Sequence, residues 1–472
     1  EKNAEFLAST DNWFRPVAAR SGPDGALYVV DMYRLVIEHP EWVPLDWQRK
    51  LNLREGHDKG RIYRITKKGH KLRTIPSLTG FSTTDLVKAM DTSNRWQRDA
   101  VQQLLHWRQA TEAKAQLADL VINGTHPEAR SQALWTLQGL QCLDAEVLIL
   151  ALSDKDDRVQ QQAVKLSEPF LQTHPDILSH LRALIPHAGA FLKQQIAYSL
   201  GETTDPSASN RLAYILFSET ENPLIISAAL SSLMPHLDWI AHNRSRELFD
   251  TKNDAIIQAF LTTLIASENQ SAIYACLSSI FGSSGKVDME TTTLFLEVLR
   301  KNNLSLQTLY DQGTPNLQRL LLSISPLFEK AAAIVTDTNA NVSLRQLALA
   351  LLAHPRVGQG VNRDLFLRTL SPDNPVELQE DALTYLERNP GPSLPADLVA
   401  KWNSLSPSLR KSVIQSLLKH TNWTRSLLNL VQKKPALAAS FSTSQIAGLS
   451  THQDPSIRTL ASQIFEATVS ED

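Results

Sequence analysis

Residues able to do chemistry are concentrated near the start of the chain. Arg15, Asp24, Asp31, Tyr33, Arg34, Glu38, His39, Glu41, His57 and Asp58 all fall between positions 15 and 58. Asp31, Tyr33, Arg34, Glu38 and His39 form the tightest group. A carboxylate and an imidazole brought to the end of one strand can serve as base and acid, or share a metal ion of unknown identity. The same residues also have a structural use. Asp31 can cap a turn, Arg34 can pair with Glu38 four residues on, and His39 before Pro40 can fix a bend. Asp24, inside Gly22-Pro23-Asp24-Gly25, reads as a turn residue, because Pro sets φ and Gly tolerates positive φ.

Short strands must position this group. Ala26–Val30 is rich in β-formers and closes on Asp31, and Gly60–Ile65 is a second strand. Phe14–Ala19 and Phe6–Ser9 read as two more. Between Ala26–Val30 and Gly60–Ile65, Met32–Lys59 is a long polar and aromatic loop with Trp42, Trp47, Pro40 and Pro44. A loop of that size between strands is usually functional or a lid. Four short strands with a Pro-Asp-Gly turn match one blade of a β-propeller. One blade cannot bury both its faces, so further blades are expected upstream. The expected domains are residues 1–75 as a terminal blade with its loop, 76–81 as a linker, and 82–472 as a helical array.

The array is written in a recurring phrase. A turn, often with proline, is followed by an apolar residue, a basic or amide residue, two spacers and a small residue. Pro455-Ser456-Ile457-Arg458 ending in Ala461 is the clearest copy. Ala129-Arg130 ending in Ala133, Val159-Gln160 ending in Ala163, Leu344-Arg345 ending in Ala348, Leu378-Gln379 ending in Ala382 and Leu409-Arg410 ending in Val413 repeat it. The small positions Ala100, Ala133, Ala163, Ala197 and Ala228 recur every 30 to 34 residues, and the phase returns at Ala348. The stretch 235–340 is less regular. Such periods with paired helices indicate an α-solenoid, and the small residue lets two helices approach closely. The expected fold is mainly α, a HEAT-type α-solenoid of about ten to twelve helix pairs preceded by a small β segment.

The array itself carries no chemical constellation. Its histidines never fall at ligand spacing with an acid, and Asp154, Asp156 and Asp157 lack the Gly and distal Glu of a calcium loop. Those aspartates suit a helix N-terminus instead. With 20% charged residues and a formal net charge of -2, a general nucleic-acid binder is not expected. Cys142 and Cys276 lie far apart in apolar helical patterns and read as buried structural thiols. No Cys-x-x-Cys pair exists, so a zinc ribbon, a thioredoxin motif and covalent c-type haem attachment are not expected of this chain. No apolar run approaches the ~18 residues of a transmembrane helix. Glu1 carries neither Met nor a signal peptide before it, which reads as a piece of a longer or processed protein.

Four runs together resemble the end of a propeller in one family. They are Asp11–Val17, Gly22–Arg34, Val36–Pro44 and Gly60–Ile65. The family is the membrane-bound dehydrogenases of planctomycete-type bacteria, whose propeller is related to quinoprotein glucose and sorbosone dehydrogenases. In that family the propeller precedes HEAT repeats and often a c-type cytochrome domain, which is absent from this chain. The resemblance covers residues 6–66. It implies that the parent oxidises a sugar or sugar-like alcohol with pyrroloquinoline quinone and calcium, in the periplasm or another extracytoplasmic place. It also implies catalytic roles for Asp31, His39 and Arg15, with Tyr33, Arg34 and Glu38 facing substrate or cofactor. The solenoid would scaffold a cytochrome module, another protein or a carbohydrate. The alternative is a non-catalytic HEAT-repeat scaffold in which the blade caps the first helices.

Overall fold

The computed structural model describes residues 4–69, 71–281, 288–391 and 393–465. They form 27 α-helices and one three-stranded sheet. The chain divides into two compact units, residues 1–215 with 227–232, and 216–226 with 233–472.

The first unit opens with strands β1 (Pro16–Ser21), β2 (Leu27–Asp31) and β3 (Arg61–Ile65), antiparallel in the order β1-β2-β3. Asp31 stands opposite Pro16 on one side and Arg61 on the other, and the register shifts between Pro16 and Ala18. There are three strands where four were expected. Phe6–Ser9 lies outside any strand, and Phe6 is 80% exposed. Polar turn chemistry takes over there. The Asp11 N–H donates to Ser9 Oγ at 3.1 Å and the Trp13 N–H to Asp11 Oδ1 at 3.0 Å, competing with any ladder along the free edge of β1. Of the three strands only β2 buries side chains, at Val29 and Asp31.

Helices follow in pairs. After α1 (Leu45–Gln48), within the loop, come α2 (Thr83–Met90), α3 (Arg95–Trp107), α4 (Lys114–Asn123), α5 (Pro127–Gly139), α6 (Ala145–Leu152), α7 (Asp157–Leu166), α8 (Pro175–Leu184) and α9 (Ala190–Leu200). The even-numbered helices from α2 to α8 pack in succession as one layer, and the odd-numbered helices from α3 to α9 as the other. Proline at the first turn of α5 and α8 costs little, because that N–H has no intrahelical partner. In the second unit the helices Asp254–Ala266, Met289–Lys301, Val342–Leu352, Val376–Arg388 and Pro407–Leu417 likewise pack in succession. The irregular stretch contains short helices, Leu237–Asn243, Ser245–Asp250 and Leu306–Gln312.

The repeated phrase has a physical content. Its basic or amide residue reaches back and donates to carbonyls of the turn before its own helix. Arg130 donates to the Gly124 carbonyl at 2.9 Å and Gln160 to that of Asp154 at 2.7 Å. Arg345 donates to Val335 at 2.8 Å, Gln379 to Asn374 at 2.6 Å, Arg410 to Trp402 at 3.0 Å and Arg458 to His452 at 2.6 Å. The small residues at Ala133, Ala163, Ala197, Ala348, Ala382, Val413 and Ala461 are buried. Ala100 is not, because α3 runs one residue out of the expected phase. Val101 takes the buried place and Arg98 takes the donor's, bonding the Thr92 carbonyl at 2.8 Å.

Cys276 is buried and burial pushes its thiol up to about 12, whereas Cys142 is only half-buried. An aromatic disulfide reagent at pH 8 is therefore expected to label one thiol per native chain, at Cys142, and two after denaturation. Arg130 also forms a bidentate ion pair with Asp154, both side chains being buried. Arg130→Ala leaves that carboxylate unpaired and is expected to cost about 3–5 kcal/mol. Gln160→Ala, a neutral lock, should cost about 1 kcal/mol. Urea unfolding followed by circular dichroism ranks the two.

Candidate functional site

The strand-end group is built around the Asp31 carboxylate, which is fully buried. Its Oδ1 accepts the backbone N–H of Arg15 at 2.8 Å and of Tyr33 at 2.9 Å. The chain continues the same pairing, with the Met32 N–H on the Arg15 carbonyl and the Arg34 N–H on that of Trp13. Asp31 thus ties the segment before β1 to the start of the loop. Its Oδ2 is buried without a hydrogen bond, 3.8 Å from Arg61 Nε. Arg61 lies over the Tyr33 ring, 3.9 Å from its centroid, and Trp13 packs against the same ring at 5.7 Å. A hydrogen bond from the Tyr33 hydroxyl to the Asp11 carboxylate raises the tyrosine's pKa above its usual value.

Arg15 contributes its backbone to Asp31, not its guanidinium. The side chain turns back to the carbonyls of Asn12 and Phe14. The expected Arg34–Glu38 pair does not form. Arg34 instead donates to the carbonyls of Met32, Tyr33, Gly56 and His57, closing the two ends of the loop on each other. Tyr33 has a positive φ of 51°, and a Cβ on Gly56 would lie 2.4 Å from the Tyr33 carbonyl oxygen, so this closure needs glycine. Glu38 is exposed, and its carboxylate accepts the Ile37 N–H at 3.3 Å. His39 is exposed too. It caps the 3₁₀ turn Pro40–Trp42, Nδ1 accepting the Glu41 N–H at 3.4 Å.

The six residues singled out in sequence therefore serve three separate local jobs. Asp31, Tyr33 and the Arg15 backbone form one node, Arg34 closes the loop, and Glu38 and His39 lie out on it. By themselves these residues fit neither a quinone pocket nor a calcium cage. One oxygen of Asp31 is spent on backbone donors, the other is walled off, and His39 is elsewhere. Among the described residues no three His, Cys, Asp or Glu side chains are grouped to hold a metal ion.

Asp24 does more than turn the chain. Its carboxylate accepts the Ala26 N–H at 3.0 Å, the Tyr28 hydroxyl at 2.9 Å and the Arg64 guanidinium of β3. Burial works to raise its pKa, but these bonds outweigh burial and hold it below the usual carboxylate range. The turn then docks on the helices. The Gly22 carbonyl accepts the side chain of Asn94, the N-cap of α3, at 3.2 Å. The Arg73 N–H donates to the Asp24 carbonyl, while the Arg73 side chain reaches Gln97 of α3.

A second concentration of side chains lies on the odd-numbered helices, and the sequence reading missed it. Trp96, Gln103 and Trp107 of α3, Gln132, Trp135 and Gln138 of α5, Gln161, Gln162 and Lys165 of α7, and Phe191, Gln194, Gln195 and Tyr198 of α9 are exposed or half-buried. They are joined from helix to helix. Gln132 donates to Gln102, and Trp135 Nε1 donates to Gln162 Oε1 at 2.9 Å. Gln161 donates to the Phe191 carbonyl at 3.4 Å. The signal was present in the sequence as a glutamine three residues before an aromatic, at Gln132 with Trp135 and at Gln195 with Tyr198.

Residues 1–69 match a family described as a domain of unknown function, DUF7133. No curated protein matches the chain. Among solved structures, the chain is similar to the karyopherin Kap121p bound to the extreme C-terminus of the protein phosphatase Cdc14p. The identity is 12%, the coverage 80% of this chain and 45% of that one, and the TM-score 0.44. Kap121p bound to Nup53p matches with 10% identity over 82% of this chain and 50% of that one, at a TM-score of 0.41. The chain spans about half the length of these karyopherins. No single helix among the described residues is long and apolar enough to cross a membrane.

Asp24→Ala is expected to loosen the sheet while leaving helical circular dichroism nearly unchanged, seen as faster proteolysis within residues 30–75. His39→Ala, removing only an exposed cap, should change neither. The Asp24 bonds are at full strength above the ordinary carboxylate pKa of about 4 and are lost as pH falls through the lowered native value. Proteolysis by an acid protease should accordingly accelerate as the pH drops below that range, and less so in Asp24→Ala.

Proposed function

We propose that this chain is a scaffold that binds other proteins along its helical repeats. The observation that carries this reading is the outward face of the odd-numbered helices, where aromatic and amide side chains stay uncovered on four successive rigid helices. Large aromatics held on helices make good interface anchors, since they bury much area and lose few rotamers. The amides between them offer both donor and acceptor. The loop adds Trp42 and Trp47, exposed by 80% and 58%. Trp107→Ala with Trp135→Ala is expected to abolish recovery of cross-linked partners from the native source while the circular dichroism spectrum stays intact. Equal recovery with the double variant would remove this face from the proposal, and no partner for the wild type would remove the scaffold.

A second reading follows the resemblance of residues 6–66, and the antiparallel sheet, whose outer edges are unpaired among the described residues, favours it. Here the sheet is one blade of a propeller in a longer, extracytoplasmic dehydrogenase that oxidises a sugar or sugar-like alcohol. Pyrroloquinoline quinone and calcium would be held by other blades, and the solenoid would receive a cytochrome module or a carbohydrate. His39 and Glu38 are the exposed groups of the loop and would be the ones to meet substrate, with Asp31, Arg15, Tyr33 and Arg34 holding the loop's base. A longer protein supplied with quinone, calcium and a sugar should then reduce an artificial electron acceptor, and His39→Ala should slow it. Reduction indifferent to that substitution would take His39 out of the site, and no reduction would count against the enzyme.

A further inference from the structure

Three arginines line a cleft of about 400 Å³ between α3, α5 and α7, together with Ser131, Gln132 and Gln162. Two are neutralised within the chain. Arg95 lies 3.4 Å from Asp99, and Arg158 lies 3.1 Å from Glu128 and 2.8 Å from Asp156. The third, Arg98, is 6% exposed. Its one hydrogen bond is the lock to the Thr92 carbonyl, its Nε has no partner, and no carboxylate among the described residues is within ion-pairing distance of it.

The next repeat shows what this guanidinium lacks. Arg130 occupies the same place in α5 and makes the same lock, but its Nε and Nη2 also hold Asp154 at 2.7 and 2.8 Å. Asp154 stands two residues before the N-cap of α7, Asp156. Two residues before the N-cap of α5, His126, stands Gly124. A Cβ there would come within 2.5 Å of the Leu120 carbonyl oxygen, so the fold does not admit an aspartate at this rung. A buried guanidinium with no anion in direct contact is costly, and burial lowers the pKa of Arg98 although the more distant Glu128 and Asp99 charges act to raise it.

We propose that the Arg98 cleft receives the carboxylate of an acidic residue carried by an extended peptide segment of a partner protein. This rests on the scaffold reading and names the chemistry of what the scaffold binds. The match is local: one buried guanidinium with an unpaired Nε–H faces one carboxylate. With Asp99 and Glu128 in the same wall, a multiply charged phosphate is repelled where a single carboxylate is matched. The neighbouring rungs suit a peptide. Successive helices stand ~8–10 Å apart, which is about three residues of extended chain. Gln132, Gln162 and Gln195 then meet backbone amides at that spacing, while Trp135 and Tyr198 offer faces to side chains between them.

Random twelve-residue peptides displayed on phage and selected on the purified chain supply the probe. The selected peptides are expected to share an Asp or Glu at one position. The synthetic peptide should bind Arg98→Gln about tenfold more weakly than wild type, the loss typical of one charge-assisted pair. Replacing its acid by the amide should cost the same factor in wild type and nothing further in the variant, and added salt should weaken the wild-type complex alone. Arg98→Gln keeps the fold, because Gln160 makes the equivalent lock two repeats on, and an unchanged melting curve checks this. Trp135→Ala, away from the charge, should weaken the peptide independently. Neutral selected peptides, or acidic ones indifferent to Arg98→Gln, overturn the assignment to Arg98 and leave the scaffold standing. A selection that yields no binding peptide overturns both.

Discussion

Turns that lead into a second helix, such as those at Gly124, Asp154 and Val335, present carbonyls with no partner in the helix that follows. Leaving such groups unsatisfied is costly. The recurring arginine or glutamine of the phrase answers that constraint. It enters the helix near its first turn, folds back, and donates to the carbonyls in front of it. One side chain thereby fixes the angle at which the turn meets the helix, and the small residue three places on lets the adjoining helix close. The repeat is kept by a hydrogen-bond requirement as much as by an apolar face.

This explains what could be read from the sequence. The phrase is periodic because the carbonyls recur periodically, so the α-solenoid was legible at Arg130, Gln160, Arg345, Gln379, Arg410 and Arg458. It misled at Ala100, where small-residue spacing was followed and the donor, Arg98, was not. Between 235 and 340 short helices such as Leu237–Asn243, Ser245–Asp250 and Leu306–Gln312 alternate with full-length ones, and the spacing loses its period. In the sheet, Asp24 and its turn were legible from Pro and Gly, while Phe6–Ser9 was lost to side-chain bonds from Ser9 and Asp11 that a strand-propensity reading does not weigh.

The residues with the most reactive chemistry were legible as residue types, while their local bonding was not. Asp31 and His39 stand eight positions apart, yet His39 is exposed as the cap of the turn Pro40–Trp42, and what hydrogen-bonds to Asp31 is backbone. Arg34 was expected to meet a carboxylate at helical spacing, but no helix forms there, and its fork finds four carbonyls instead. The outward face of α3, α5, α7 and α9 went unseen for the opposite reason. Glutamine and tryptophan are unremarked individually, and their alignment exists only once the helices are stacked.

The locks have one more consequence. Each is closed between a helix and the stretch of chain just before it. A pair of helices carries its own fastening with it. Duplication or loss of such a pair in a gene leaves every other fastening as it was, and a lineage can lengthen or shorten the displayed surface without recomposing its core.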